Sequence, residues 1–187
     1  MKVFRGAINR LAFLPLKIKL KQCGYKSLIE LSYQIEGTQY ISIGNNVRIK
    51  PGLHMDAIDC HNGIQFTPSI SIGHNVSINY DVHIACINYI KIGDGTLIGS
   101  KVFITDHYHG NTSLESLEIP PSARRLESKG GVDIGENVWI GENVSIMPGV
   151  QIGDNAVIGA NTVVTRDIPQ FCVAVGSPAK IIKNYNK

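Results

Sequence analysis

The sequence predicts an all-β chain whose main body is a parallel β-helix, preceded by a short helical segment. Aliphatic residues recur every six positions along most of the 187 residues. The chain also contains 19 glycines, and because apolar residues are spread throughout, these glycines indicate frequent tight turns rather than disorder. A period of six fits neither an α-helix nor the two-residue alternation of hairpin strands, so each unit is expected to be one short strand and one turn.

The repeat is clearest from residue 134, where the chain divides into "IGENVW", "IGENVS", "IMPGVQ", "IGDNAV", "IGANTV" and "VTRDIP". β-branched residues fit the inward position of such units, and Gly or Asn fits their corners. Stacked units then bury a core that no single unit could bury. The aliphatic residues that open the units are Ile43, Ile49, Ile72, Ile78, Ile84, Ile92, Ile98, Ile104, Ile134, Ile140, Ile146, Ile152, Ile158 and Val164.

The sequence divides into a basic amphipathic segment, residues 1–35, and a repeat domain, residues 36–187. The net charge is +3, yet residues 1–26 carry seven Lys or Arg side chains and no acid. The apolar stretch "LAFLPL" in this segment is too short to span a bilayer, and no signal-peptide cleavage site follows it. We expect an amphipathic helix that packs on the end of the domain. The alternative is that residues 1–24 rest on anionic lipid headgroups.

Cysteine spacing bears on the compartment in which the protein works. The four cysteines show neither metal-binding nor disulfide-framework spacing, so reduced thiols in a cytoplasmic protein are expected. The basic segment adds the alternative of a position at the inner face of the membrane. No nucleic-acid partner is expected.

The repeat is broken once at length, by "TDHYHGNTSLESLEIPPSARRLESKGG" at residues 105–131. Its Pro–Pro pair, serines and closing Gly–Gly predict a loop expelled from the coil, and such loops are more often functional than accidental. His107 and His109 begin it. Spacing leaves three interpretations of His107 open: a general base, a metal ligand that would need further ligands, and a histidine without function.

The stretch "IGENVWIGENVSIMPGVQIGDNAVIGANTVVTRDIP", followed by "AVGSPAKII", resembles the C-terminal coils of hexapeptide-repeat acyltransferases. Galactoside and maltose acetyltransferases belong to this family. The resemblance covers roughly residues 40–187 and implies a left-handed β-helix, a homotrimer with active sites between subunits, and acetyl-CoA as co-substrate. It implies no metal.

In the resembled sugar acetyltransferases, a histidine at the start of this loop is the catalytic base, and His107 is the matching position. Asp106 is a candidate for orienting it, although a backbone carbonyl could serve instead because galactoside acetyltransferases lack an acid there. The resemblance places His109 next to the acceptor, where it would shape the site.

Three further positions concern the acceptor. Asn79 matches an asparagine that hydrogen-bonds the acceptor sugar in the resembled enzymes, although a turn residue is the alternative. Trp139, the sole tryptophan, is expected to pack in the repeat just after the loop and to contact the site or the pantetheine arm. A family aspartate that grips the sugar is replaced by Ile87, so galactoside or maltose specificity does not carry over.

Six positions match the coenzyme A site of the resembled enzymes. Small residues on successive turns would let the pantetheine arm lie against the backbone, although tight stacking of the coils requires small residues too. Cationic and hydroxyl side chains would meet the nucleotide and phosphates, where contacts are charge-assisted. These positions are Gly141, Gly159, Ala160, Thr165, Arg166 and Lys183.

The resemblance therefore implies an acetyl-CoA-dependent O-acetyltransferase that acts on a carbohydrate hydroxyl, in surface polysaccharide biosynthesis. Within the same class, the acceptor could be the amino group of a nucleotide sugar, or an antibiotic. A β-helical zinc carbonic anhydrase is a second class, but residues 110–187 contain no histidine to complete its metal site. A non-catalytic scaffold is the third class, and it would need neither the histidine-bearing loop nor the small-residue groove.

Overall fold

The computed structural model describes residues 2–186, with side chains from residue 9 onward, and its strands wind around one aliphatic core. Helix α1 (Lys2–Lys19) comes first, and 3-10 turns lie at Thr38–Tyr40 and Pro121–Ala123. The first strands are β1 (Gln22–Cys23), β2 (Leu28–Ile29), β3 (Tyr33–Glu36), β4 (Ile41–Ile43), β5 (Arg48–Ile49), β6 (Leu53–Ala57), β7 (Cys60–His61), β8 (Ile64–Gln65), β9 (Ser69–Ile72), β10 (Ser77–Ile78) and β11 (His83–Cys86).

The second half of the chain continues the same winding after one long excursion. Its elements are β12 (Tyr89–Ile92), β13 (Leu97–Ile98), β14 (Phe103–Thr105), β15 (Tyr108–His109), α2 (Leu114–Leu117), β16 (Leu126–Glu127), β17 (Val132–Ile134), β18 (Trp139–Ile140), β19 (Ser145–Ile146), β20 (Gln151–Ile152), β21 (Val157–Ile158), β22 (Val163–Val164), β23 (Cys172–Val175) and β24 (Lys180–Asn184).

Three parallel sheets form the faces of a prism, and each turn of the chain contributes one strand to each face. Face A is β1-β4-β9-β12-β17-β20, face B runs from β2 through β5, β10, β13, β18 and β21 to β23, and face C is β3-β6-β11-β14-β19-β22. Residues 22–164 thus make six complete coils, and β24 pairs antiparallel with β23 at the end of face B. The predicted all-β class, a left-handed parallel β-helix with an external loop, is confirmed.

The six-residue repeat produces this winding because its aliphatic openings stack in register. Ile134 pairs with Ile152 on face A, and Ile140 pairs with Ile158 on face B. At most 2% of each of these side chains is exposed, so every coil buries its isoleucines against those of its neighbours. The corner asparagines have the left-handed backbone expected of them, as in Asn143 with a φ of 55°.

Helix α1 covers the N-terminal end of the prism with its buried apolar side, which consists of Phe13, Leu16 and Leu20. The helix therefore packs on the domain end, as its sequence predicts. The β-helix begins earlier than the expected residue 36, however, because residues 22–36 form its first coil. The repeat was hidden there because Cys23 occupies the position of Ile43 in the next coil. No helix within residues 2–186 is long and apolar enough to cross a bilayer.

Two insertions leave the prism at the corner between faces C and A. The hairpin β7–β8 follows β6, and residues 105–131 follow β14. The longer insertion is pinned at its base by the antiparallel pair β15–β16, in which His109 lies opposite Leu126. The loop that the sequence predicts is therefore a folded excursion that holds its first residues in place.

Candidate active site

The loop begins with a buried hydrogen bond between the side chains of neighbouring residues. Oδ1 of Asp106 lies 3.0 Å from Nδ1 of His107, and the two side chains are 0% and 7% exposed. Because an ionised carboxylate only accepts hydrogen bonds, Nδ1 of His107 carries the proton in this arrangement. Nε2 is then an acceptor, which is the form of imidazole that can take a proton from a hydroxyl group.

Asp106 is itself held by the preceding coil. The backbone N–H of Ile87 donates to Oδ1 at 2.9 Å, and the backbone N–H of Asn88 donates to Oδ2 at 2.7 Å. The Cys86 thiol lies 3.4 Å from Oδ2. Burial raises the pKa of that thiol far above its ordinary value, and the negative charge of Asp106 raises it further. These contacts fix the carboxylate, so it can orient His107 without moving.

His109 lies between the hairpin β7–β8 and His107. Its ring makes edge contacts with both histidines, with centroids 5.8 Å from that of His61 and 6.5 Å from that of His107. The hairpin is also tied to the loop by Asn62, whose amide donates to the backbone carbonyl of Ser122 at 3.0 Å. The sequence did not indicate His61, because only the shared corner of the two insertions brings it beside the loop.

A cavity of about 490 Å³ opens between the hairpin and the loop. Its walls include Ile87 and Asn88, the two residues whose backbone N–H groups hold Asp106, and Phe66 from the hairpin side. Arg125 and Glu127 line it from the loop side. This concave, partly charged space therefore lies next to the groups that support His107. Ile87, which stands where the resembled enzymes carry an aspartate, is among the residues that line it.

The structure brings five of the predicted site residues together on face B. A cavity of about 520 Å³ is lined by Asn79, Trp139, Gly141, Gly159 and Ala160. Trp139 was expected to pack in the repeat, but 56% of its surface is exposed and it lines this cavity instead. Trp139 precedes the inward-facing Ile140, and the two-residue alternation of a strand therefore turns the indole outward.

The glycines of this cavity have a structural reason to be glycine. A Cβ on Gly141 would lie 2.6 Å from the backbone N of Ala160 in the next coil. A Cβ on Gly159 would lie 2.7 Å from Cγ1 of Val175. Both distances are too short for non-bonded atoms, so coil stacking alone requires these glycines. Their presence therefore does not argue for a pantetheine groove by itself.

The remaining predicted residues lie in two different places. Lys183 lies on face B, in the row of paired residues that contains Trp139. Along this row Trp139 pairs with Val157, Val157 pairs with Val173, and Val173 pairs with Lys183. Thr165 and Arg166 are exposed and follow β22, at the corner between faces C and A where His107 also lies. The predicted residues thus form one group on face B and another at the corner beyond face C.

Sequence reasoning missed a polar cluster on the outer surface of face C. Nε2 of His54 lies 2.8 Å from Oδ2 of Asp56, and the ring of His54 stacks on that of His83 with centroids 4.3 Å apart. Burial lowers the pKa of His83, and the positive charges of His54 and His107 lower it further. The carboxylate of Asp56 acts in the opposite direction and raises it in part. The "HMD" spacing puts two of these residues on one face of a strand, but only the pairing of β6 with β11 brings the third.

A groove of about 710 Å³, larger than either of these cavities, runs along face A. Its charged lining residues are five acids and Lys91. It contains none of the predicted site residues. Size alone therefore does not locate the candidate active site, which is defined by the Asp106–His107 pair and the face B cavity.

Comparison with known families identifies the repeat. The family described as bacterial transferase hexapeptide (six repeats) matches residues 131–166. The chain is 45% identical over 107 residues to a protein of Escherichia coli K12 named as a lipopolysaccharide biosynthesis O-acetyl transferase, WbbJ. That match covers 55% of this chain and 54% of WbbJ. The chain thus spans about half the length of WbbJ and of several other curated relatives.

Two further relatives match over most of the chain. The dTDP-4-amino-4,6-dideoxy-D-glucose acyltransferase of Escherichia coli is 31% identical over 182 residues, which is 91% of this chain and 88% of that enzyme. Galactoside acetyltransferase in complex with coenzyme A has a similar structure, with a TM-score of 0.62 and 29% identity. The alignment covers 91% of this chain and 68% of that one. The similarity to galactoside acetyltransferase thus extends over most of this chain.

Proposed function

Because the chain belongs to the hexapeptide-repeat transferase family, we propose that it is an acetyl-CoA-dependent O-acetyltransferase. Its acceptor is a carbohydrate hydroxyl, and its setting is surface polysaccharide biosynthesis, as the names of WbbJ and of the polysialic acid O-acetyltransferase suggest for those relatives. The observation that carries the proposal is the Asp106–His107 pair, in which a fixed carboxylate leaves Nε2 of the imidazole as the proton acceptor.

In this mechanism His107 is the general base. Nε2 takes the proton of the acceptor hydroxyl as its oxygen attacks the thioester carbonyl of acetyl-CoA. The tetrahedral intermediate then expels the coenzyme A thiolate, which takes up the proton, and the ester product remains. Asp106 accepts a hydrogen bond from Nδ1–H throughout, which stabilises the imidazolium in the intermediate. General-base help is worth ~10²–10⁴ in rate. No side chain is acylated.

The donor is proposed to lie on face B, with its pantetheine arm along the cavity lined by Trp139, Gly141, Gly159 and Ala160. Lys183 stands further along the same face, where its charge suits a phosphate or the nucleotide. Asn79 lines the same cavity, and its proposed role is to hydrogen-bond the acceptor sugar. The complex of galactoside acetyltransferase with coenzyme A supports a donor site on this fold.

We propose a homotrimer, because one chain keeps the two groups of site residues apart. His107, Thr165 and Arg166 lie at the corner between faces C and A, whereas the small-residue cavity lies on face B. Face C stands between them within one chain. A neighbouring copy whose face B approaches the His107 corner would unite base and donor. Analytical ultracentrifugation tests this, and a monomer that is fully active would contradict it.

The test of the activity is release of free thiol from acetyl-CoA in the presence of a panel of acceptors. Saccharides with free hydroxyl groups, nucleotide-linked amino sugars and aminoglycoside antibiotics make up the panel. His107→Ala should abolish most acceptor-dependent release, whereas the matched variant His74→Ala, at an exposed position on another corner, should retain it. Equal release by both variants would remove His107 from the mechanism.

A second candidate is N-acylation of a nucleotide-linked amino sugar. The observation that favours it is the acyltransferase named for dTDP-4-amino-4,6-dideoxy-D-glucose, which matches 91% of this chain. Both reactions use the same base, because an ammonium group must also lose protons before it attacks. Mass spectrometry of the product distinguishes them: an ester is cleaved by mild hydroxylamine, and an amide is not.

We also propose that helix α1 rests on the cytoplasmic surface of a membrane. Its outer side exposes three large apolar residues, Leu11, Leu14 and Ile18, next to the basic side chains of Arg10 and Lys19. Such a surface suits anionic lipid headgroups and the acyl boundary beneath them. Truncation is a poor test because the opposite side of the helix is part of the core. The double variant Leu11→Gln/Ile18→Gln should instead lose cosedimentation with anionic vesicles and keep its fold. Cosedimentation as strong as that of the wild type would contradict the membrane contact.

A further inference from the structure

We propose that His54, Asp56 and His83 form a binding site for one divalent transition-metal ion of the zinc class on face C. Each residue offers one ligand atom, and the three atoms all lie within 4.8 Å of one another. They come from two adjacent coils, since His54 and Asp56 lie on β6 and His83 lies opposite His54 on β11. This site is separate from the acyl-transfer chemistry proposed above and does not depend on it.

The cluster contains the only two buried side-chain atoms that lack a hydrogen-bond partner among the described residues. They are Oδ1 of Asp56 and Nε2 of His83. The contact between His54 and Asp56 satisfies one carboxylate oxygen, but His83 is 3.9 Å from that oxygen, which is too long for a hydrogen bond. Buried groups without partners are rare and costly, so two of them in one cluster indicate that a further partner belongs there.

A metal ion would satisfy both atoms at once. Two imidazoles and one carboxylate are a ligand set that suits zinc, which keeps a fourth position for water or another ligand. Zinc bonds of about 2.0–2.2 Å require neighbouring ligand atoms to be about 3.3 Å apart. The observed distances from Oδ2 of Asp56, 2.8 Å to His54 and 3.9 Å to His83, lie on either side of that value. Closing the site requires His83 to move closer to Asp56.

The site is also reachable from solvent. The side chains of His54 and His83 are 38% and 39% exposed, and that of Asp56 is 17% exposed. An ion bound there would link β6 to β11 and so tie two coils of the prism together. Its expected effect is therefore on stability and on metal content rather than on the acetyl-transfer step.

The test measures zinc bound to the tag-free, full-length protein. After dialysis against ZnCl₂ and then buffer, elemental analysis should find one zinc per chain, and titration with ZnCl₂ should give the same stoichiometry. His54→Gln, Asp56→Asn and His83→Gln should each weaken zinc binding at least about 10²-fold, more than the loss of an outer-shell partner costs. His74→Gln is the matched control and should bind zinc as the wild type does, while MgCl₂ should not compete.

A measurement without variants guards against loss of folding. Cobalt added to the wild-type protein should give the visible absorption of a four-coordinate site, and zinc should abolish it. Thermal unfolding should shift to higher temperature with ZnCl₂ in the wild type but not in folded His83→Gln. Absence of stoichiometric zinc, or zinc binding that survives all three substitutions, would overturn the proposal.

Discussion

The carboxylate of Asp106 lies 3.0 Å from Nδ1 of His107 and accepts backbone N–H bonds on both of its oxygens. The donors, Ile87 and Asn88, belong to the preceding coil. This makes the orientation of His107 a property of the stacked coils, not of the loop that His107 begins. A loop histidine gains the positional accuracy of a core residue by this arrangement.

Asp106→Asn should lower kcat at least about 10²-fold, because an amide can present its NH₂ group to His107 and favour the wrong tautomer. The KM for acetyl-CoA should stay within about 2-fold of the wild type, since the Asp106 side chain is fully buried beneath His107 and is not exposed to the donor. Steady-state kinetics measure both. A parallel loss of stability of about 1–3 kcal/mol is expected, because one backbone N–H would then face an amide NH₂.

The control for that variant is Asp133→Asn. Asp133 lies on face A, and its side chain forms an exposed ion pair with Lys91. Its kinetics and its unfolding midpoint should match those of the wild type. If Asp106→Asn lost stability but kept its kcat, Asp106 would be a structural residue with no positioning role.

His107→Ala should reduce acetyl transfer at least about 10²-fold with coenzyme A affinity nearly unchanged. The reason is that the substitution removes the proton acceptor and leaves the donor cavity intact. His109→Ala should cost much less, because its ring packs against His61 of the hairpin. Calorimetry with coenzyme A and initial rates separate binding from turnover. Similar losses of rate in both variants would contradict this division of roles.

Cysteine reactivity offers a prediction that follows from burial. Burial and the Asp106 carboxylate raise the pKa of Cys86, so this thiol should stay protonated and unreactive in the folded protein. Cys60 is exposed on the hairpin and should be alkylated by iodoacetamide at pH 8. Peptide mass spectrometry after brief labelling reads out both positions. Rapid labelling of Cys86 without unfolding would show that the coil around Asp106 opens readily.

The repeat made the fold predictable because a period of six allows few structures. The same regularity hid the first coil, where Cys23 stands in an inward position that isoleucine holds elsewhere. His107 was singled out because it begins the one long break in the repeat and matches a histidine of the resembled family. The support of Asp106 was not predictable, because the hydrogen bonds from Ile87 and Asn88 depend on which coil lies beneath the loop.

Outward-facing residues were the least predictable part of the site. Inward positions are dictated by one shared core, but an outward residue is defined by neighbours in other coils. Trp139 was expected to pack in the repeat and instead is half exposed and lines the face B cavity. The cluster of His54, Asp56 and His83 was missed for the same reason, since a single sequence does not state which coils stack in register.

Gly141→Ala should destabilise the fold by about 1–3 kcal/mol, the usual cost of overpacking. The added methyl would meet the backbone of Ala160 in the next coil, which cannot move without shifting its neighbours. Urea unfolding measures the change, with Gln151→Ala at an exposed position of face A as the control. An unchanged midpoint would mean that the coils can separate slightly at this corner, and that glycine is kept there for the ligand instead.

Lys183→Ala should weaken coenzyme A binding about 10-fold and leave the KM for the acceptor unchanged. The lysine lies in the row of face B that leads through Val173 and Val157 to Trp139, so its ammonium can reach a nucleotide held along that row. A charge-assisted contact with a phosphate is worth roughly this factor. Lys180→Ala on the same strand is the control, because it pairs with Val175, outside that row. If both substitutions weakened coenzyme A binding equally, the lysines would act only by attracting the negative charge of coenzyme A in general. The effect of Lys183→Ala on coenzyme A affinity should then vanish at high salt.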